Sequence, residues 1–318
     1  MNLFIDIQGG LGLNISFTRA AKILKEKYKK IYVKSPYWDV FQCCTDIDGT
    51  YKPEETRDFL FDAISSEDNV LKVGRIYDMQ EFIKKNLNYD EAWLEFCDFG
   101  KGWKGPSKLE FNMRNIEKVW PGLRKNVDDV LSKVGSSFII VQFFGGQSPL
   151  DSPANGNWAK KPYNYQHEPL KRHIEIDTAQ AFVDKFKKEH PNVAVVQYSL
   201  PNEPLIKGCE HFTMPYLAYA LLAQDKRCKG FLAIDSSLQH LISGLTKGVV
   251  VWAHSEPKNF GYECNRNIVQ NCRRDDILYF TALGPSGAKV DYASADELLD
   301  AVNSEIFGEK EVINAFSN

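Results

Sequence analysis

The chain opens on an apolar run, Leu3 to Ile7, that meets three glycines, Gly9, Gly10 and Gly12, and passes into apolar residues at helical spacing. Phe17, Ala20, Ala21, Leu24 and Tyr28 share one face of a predicted helix over 16–28, with Lys22, Lys25 and Glu26 elsewhere. Ser16 or Asn14 is placed to cap its start. Lys30 to Lys34, "KIYVK", then reads as a second strand, which makes a βαβ unit and a parallel sheet. Residues 74–122 are aromatic with few clear periods and read as helices and loops completing a first domain.

A second alternation starts near Gly135. "SFIIVQFFG" (Ser137–Gly145), "NVAVVQYS" (Asn192–Ser199), "GFLAID" and "GVVVWAH" read as strands. Between them lie a helix over 175–189 with Ile176, Ala179, Phe182, Val183 and Phe186 inward, a helix from Pro215 to Gln224, and the helix "SLQHLISGL". The expected fold class is α/β, with two Rossmann-like doubly wound domains facing a central cleft. The first spans 1–134 and the second 135–318, with the last helix able to pack back on the first. In such sheets ligands sit at the carboxyl ends of the strands.

Composition narrows the function only a little. The 318 residues are 43% hydrophobic and 25% charged, with a net charge of -3, so no global pull toward nucleic acid or anionic lipid is built in. Lysines crowd 22–34, and a solvated helix face accounts for them. Seven cysteines without a CxxC pair read as reduced thiols. The start has no basic leader pattern, and no apolar run reaches a membrane span of ~18 residues, so the expected location is cytoplasmic.

Four stretches carry candidate chemistry. The glycine turn brings backbone N–H groups toward a ligand at a helix start. It lacks the third glycine of a dinucleotide fingerprint, and Lys34 and Ser35 stand where a ribose-binding acid is wanted, which disfavours a dehydrogenase. At the end of "GFLAID", Asp235, Ser236, Ser237 and His240 gather a carboxylate, two hydroxyls and an imidazole at one strand end, with the helix buried through Leu238, Leu241, Ile242 and Leu245. Residues 144–172 form a long aperiodic loop with Trp158, Lys160, Lys161, Tyr163, Tyr165 and His167, which reads as a lid or acceptor-contacting loop. Asp46 and Asp48 form a D-x-D pair, but they follow Cys-Cys-Thr rather than a strand, and read as a solvated turn.

Phe231 to Trp252, followed by "HSEPKNFGY" (His254–Tyr262), resembles the C-terminal signature of the family 9 glycosyltransferases, the heptosyltransferase group. The family's Asp-Thr/Ser-Gly-x-x-His-Leu run stands here as Asp235-Ser236-Ser237-Leu238-Gln239-His240-Leu241, and "GGLGLNISFTRAAKILKEKY" resembles the family's opening Gly-x-Leu-Gly-Asp and helix. The resemblance implies a GT-B fold and an inverting, metal-independent transfer of a sugar from a nucleotide donor, with no cofactor and no metal site. It implies that Asp235, Ser236, Ser237, Leu238 and His240 hold the donor in the second domain. Lys171, or Arg172 beside it, matches the family lysine that offsets charge on the leaving nucleotide. Gly9, Gly10, Gly12, Asn14 and Trp158 then line the acceptor side.

The family's acid after Leu-Gly is replaced by Leu13, and Asn14 cannot take a proton. The catalytic base falls instead to Asp6, His167, Glu168 or Asp151. The Gly-Gly-Leu-Gly opening also resembles that of certain fucosyltransferases, but their His-x-Arg motif is missing. The expected partners are a nucleotide sugar and an acceptor of the glycan or lipopolysaccharide type. A modified DNA base, flipped into the cleft, is an alternative acceptor. A non-catalytic nucleotide-sugar-binding protein on the same fold is the rival class.

Overall fold

A computed structural model describes residues 1–79, 82, 87–99, 116–145, 173–200, 203–212, 214–253, 255, 257–272 and 290–308. Two parallel sheets carry the fold. The first contains β1 (Asn2–Ile7), β2 (Lys30–Lys34), β3 (Gly49–Tyr51) and β4 (Asn69–Gly74), in the order β3-β2-β1-β4. The second contains β5 (Phe138–Gln142), β6 (Ala194–Gln197), β7 (Glu210–His211), β8 (Cys228–Ile234), β9 (Gly248–Trp252) and β10 (Asn265–Val269), in the order β10-β9-β8-β5-β6-β7. Counted from its own first strand, the second sheet runs 3-2-1-4-5-6, the Rossmann order. Strands β5 and β9 are buried throughout, as strands covered on both faces must be.

The helices used below are α1 (Leu11–Leu24), α2 (Trp38–Gln42), α3 (Thr56–Ile64), α4 (Tyr89–Phe96), α5 (Leu123–Lys133), α6 (Ile176–Glu189), α7 (Tyr216–Gln224), α8 (Ser237–Ile242) and α9 (Ala295–Val302). The inward residues read for α1 and α6 are those that are buried, Ile176 only partly. Helix α1 starts earlier than its apolar stripe suggests. It begins directly after the glycine turn at Leu11, with Gly10 as an extended N-cap and no capping side chain. Ser16 is therefore not a cap: its hydroxyl donates to Leu13 O at 2.7 Å and accepts from Trp93 Nε1 at 2.8 Å. Neither is Asn14, whose amide donates back to Gly10 O at 2.9 Å.

In the first sheet, α3 lies over Phe4, Tyr32 and Tyr51 and buries Phe59 and Ala63 against them. Leu71 and Val73, paired with Phe4 and Asp6 on the same face, stay exposed beside it. The halves meet where α1 packs on α8 and α5 on α7. Through that seam one apolar core runs from Leu3, Phe17 and Trp93 to Leu217, Leu241 and Trp252. Helix α9 lies on α6 and β9, against the second sheet. Among the described residues no helix is long and apolar enough to cross a membrane.

Candidate functional site

Each sheet has one point where its strand order reverses, and there the outgoing loops part and open a crevice. In the first sheet that point lies between the ends of β1 and β4. The glycine turn leaves β1 here. Gly9 takes φ +130, which excludes side chains by backbone strain, and a Cβ on it would come 2.7 Å from Leu13 Cδ2 and 3.8 Å from Arg75 Cδ. Gly10 has an ordinary extended backbone and open space about it. In the second sheet the point lies between β5 and β8. Gln142, at the end of β5, donates to Ser236 Oγ at 3.1 Å, and Gly145 lies close enough that a Cβ would sit 3.1 Å from the same hydroxyl.

These two crevices face each other through Gly12. A Cβ on Gly12 would stand 2.7 Å from His240 Cδ2, 3.2 Å from His240 Nε2 and 3.6 Å from Ser237 Cα. The third glycine of the opening turn thus makes room for the imidazole of the opposite half. The helical periodicity of 238–245 puts His240 off the buried face. In the fold it is 3% exposed, because α1 and α4 of the other half cover that side. Its Nδ1 meets the Tyr262 hydroxyl at 2.7 Å, and the Tyr89 ring stands edge-on at 5.1 Å between centroids.

Asp235 directly follows β8 and is also buried. Its Oδ1 accepts from Gln239 Nε2 at 3.1 Å, and its Oδ2 accepts from the Ser255 hydroxyl. The carboxylate is thus oriented by two side chains of the protein. Ser237 is hydrogen-bonded to the Tyr198 hydroxyl, whose pKa burial pushes up to about 12. Leu238 is core. Asp235, Ser236, Ser237 and His240 are therefore gathered as the spacing implied.

On the first half, Asn14 is fully buried and ties the glycine turn to the end of β2: it donates to Gly9 O and Gly10 O and accepts from Ser35 Oγ at 2.6 Å. Asp6 lies at the carboxyl end of β1. It is not deep in the core, but its Oδ2 is 2.6 Å from Lys34 Nζ. Lys34, grouped by sequence with a solvated lysine face, is instead the buried partner of that acid. Asp48 accepts from Lys25 Nζ and Ile31 N, each at 2.8 Å, and so serves a turn, as its sequence context suggested. His167, Lys171, Arg172, Trp158, Glu168 and Asp151 lie outside the described residues.

Two charged groups at this row of strand ends escaped the sequence reading. Glu203 follows β6, is 5% exposed, and accepts from Leu200 N at 2.8 Å through one oxygen. Burial pushes its carboxyl up to about 7, against the Leu200 N–H that pulls it down. An acid so perturbed at the carboxyl-end side of a parallel sheet is a functional candidate. Its only signal was its place two residues past Pro201, just after a strand. Arg75, exposed beside Gly9 at the end of β4, is the other; β4 itself had not been singled out.

No protein-family model matches the sequence, and no curated protein does. Solved structures do. The chain is similar to a glycosyl transferase family 9 protein from Veillonella parvula DSM 2008, with TM-score 0.61 and 11% identity over 97% of each chain. It is similar to the E. coli ADP-heptose lps heptosyltransferase II, with TM-score 0.56 and 11% identity over 96% of this chain and 99% of that one. It is also similar to TibC, an iron-containing dodecameric glycosyltransferase from enterotoxigenic E. coli H10407, with TM-score 0.59 and 12% identity over 95% of this chain and 75% of that one. The shared property at such identities is architecture: the chain has the GT-B fold, and the resemblance read from its two end motifs points to the same structures.

Proposed function

We propose that the protein is a glycosyltransferase that moves a sugar from a nucleotide sugar to an acceptor hydroxyl, with inversion and without a metal. The observation that carries this reading is the meeting of the two strand-end turns, Gly9–Gly12 and Asp235–His240, across the seam of a GT-B fold. The second half holds the donor. Asp235 takes sugar hydroxyls, Ser236 and Ser237 take phosphate oxygens, and Glu203 supplies a further acceptor at the same row. Lys171 or Arg172 offsets charge on the leaving diphosphate. The heptosyltransferase II that the chain resembles is named for ADP-heptose and lipopolysaccharide. A nucleotide sugar and a glycan acceptor are the corresponding partners here, and a DNA base draws no support from these structures. Of the candidate bases, the Asp6 carboxylate faces Lys34, and His167, Glu168 and Asp151 lie outside the described residues.

A second reading, a nucleotide-sugar binder without turnover, has one observation in its favour. The residue at the family's acid position is Leu13, and it is buried in the core. A thermal-shift screen across nucleotide sugars tests both, because a ligand that binds only the folded state raises stability by mass action. One base-and-sugar combination is expected to stand out. Donor hydrolysis without acceptor, unaffected by EDTA, then separates enzyme from binder. A flat screen refutes both readings, and turnover that needs a divalent cation refutes the metal-independent scheme.

A further inference from the structure

Arg19 lies in the middle of α1 on the first half, yet its side chain serves the second. It is 6% exposed. Its Nη2 donates to His240 O at 2.6 Å and to Ser243 O at 3.3 Å, the carbonyls that the end of α8 leaves without helical partners. Its guanidinium carbon stands 4.0 Å from the centre of the Tyr262 ring. Tyr262 in turn meets His240 Nδ1 at 2.7 Å. Asp90, 5% exposed on α4, is the acid whose charge acts on Arg19 from the first half. Among the described residues, Nε and Nη1 of Arg19 and Oδ1 of Asp90 have no hydrogen-bond partner.

Burying a guanidinium costs several kcal/mol that packing alone does not return. A merely structural position in this apolar seam would be filled as well by Leu or Met. What the charge does here is specific. It holds the last turn of α8 at a fixed distance from α1, and it sits on the face of the tyrosine that touches the imidazole. A cation over a phenol ring draws electron density from the hydroxyl and makes it a better donor. With Tyr262 donating to Nδ1, the ring proton of neutral His240 resides on Nε2, the nitrogen nearer Gly12.

We propose that Arg19 is a positioning residue: from the first half it fixes His240 in the 235–240 segment and, through Tyr262, sets its Nε2–H tautomer. The effect on nucleotide-sugar binding rests on the glycosyltransferase reading; the tautomer does not. Long-range proton–nitrogen NMR of the imidazoles in the free protein tests it, with His240 assigned by His240→Gln. The wild type is expected to show a single Nε2–H tautomer. Arg19→Met should give a mixed tautomer and, by loosening the 235–240 segment, weaken binding of the nucleotide sugar found by the screen about tenfold. Arg19→Lys should restore part of both. An Nδ1–H tautomer in the wild type, or an Arg19→Met protein with an unchanged His240 signal, overturns the proposal. Should Arg19→Met not fold, Tyr262→Phe, which keeps Arg19 in place, must itself lose the single tautomer, and its failure to do so overturns the proposal equally. If no nucleotide sugar binds at all, the functional reading fails while the tautomer result still stands or falls by itself.

Discussion

At the scale of single residues, the three glycines of the opening turn have three different reasons to be glycine. Gly9 is required by its positive φ, Gly12 by the imidazole that fills its side-chain space, and Gly10 by neither. Gly10→Ala should therefore leave the melting temperature within a few degrees, while any loss of transfer it causes reports on ligand contact. Gly12→Ala forces a methyl group into His240, and overpacking of this kind costs about 1–3 kcal/mol. Urea unfolding of the two variants side by side gives the comparison; equal stabilities would contradict the contact between Gly12 and His240. Glu203 makes a pH prediction. Burial holds its folded pKa at about 7, above the ordinary value of 4.5, so the fold favours the protonated acid. That stabilisation is complete below pH 4.5 and is lost as pH rises through 7, a change of roughly 3 kcal/mol for the buried group. Glu203→Gln removes the titration. Its stability relative to the wild type should rise between pH 5 and pH 8, and an unchanged difference across that range would place the carboxyl in water.

At the scale of elements, periodicity found what periodicity can encode. The buried strands "KIYVK" and "GVVVW" and the stripes of α1 and α6 were legible because one face or both faces of each are apolar. Strands β3 and β4 were not: β3 is three residues long, and β4 is an edge strand whose outward Leu71 and Val73 remain in solvent, so neither carries a clean pattern. The 235–240 segment was legible as a cluster of residue types, but its burial was not. His240 looks solvent-facing along its own helix, and the packing of α1 and α4 against it covers it. The start of α1 was misplaced for a related reason. Its first turn is held by Asn14, which caps nothing in the usual sense but bonds Gly9 O, Gly10 O and the Ser35 hydroxyl, itself bonded to Tyr37 N at 2.9 Å. Asn14→Leu, similar in size, leaves those buried groups unpaired and should cost about 1–3 kcal/mol. Hydrogen exchange at the amides of 9–14 and 35–37 should quicken together in the variant. Quickening at only one of the two segments would mean that Asn14 does not join them.

At the scale of the molecule, the notable fact is how the halves are joined. Interfaces between domains of one chain are commonly polar and permit relative motion. Here a single apolar core crosses from one half to the other, through α1 on α8 and α5 on α7, and Phe17, at its first-half side, is fully buried edge-on to Phe41 and Trp93. The candidate site is built on that seam, since His240 reaches its position only with Gly12, Arg19 and Tyr89 against it. Unfolding either half would expose the apolar surface of the other. The two halves should then melt in one transition, with calorimetric and van't Hoff enthalpies equal. Phe17→Ala leaves a large cavity in the shared core and should lower stability by about 3–5 kcal/mol. It should do so without splitting the transition, because the core that it loosens runs through both halves. Protection by the nucleotide sugar should vanish at the same urea concentration as the tertiary signal of either half, in wild type and variant alike. Two separable transitions, or donor protection that outlasts the first half, would show that the second half folds and holds its ligand without the seam.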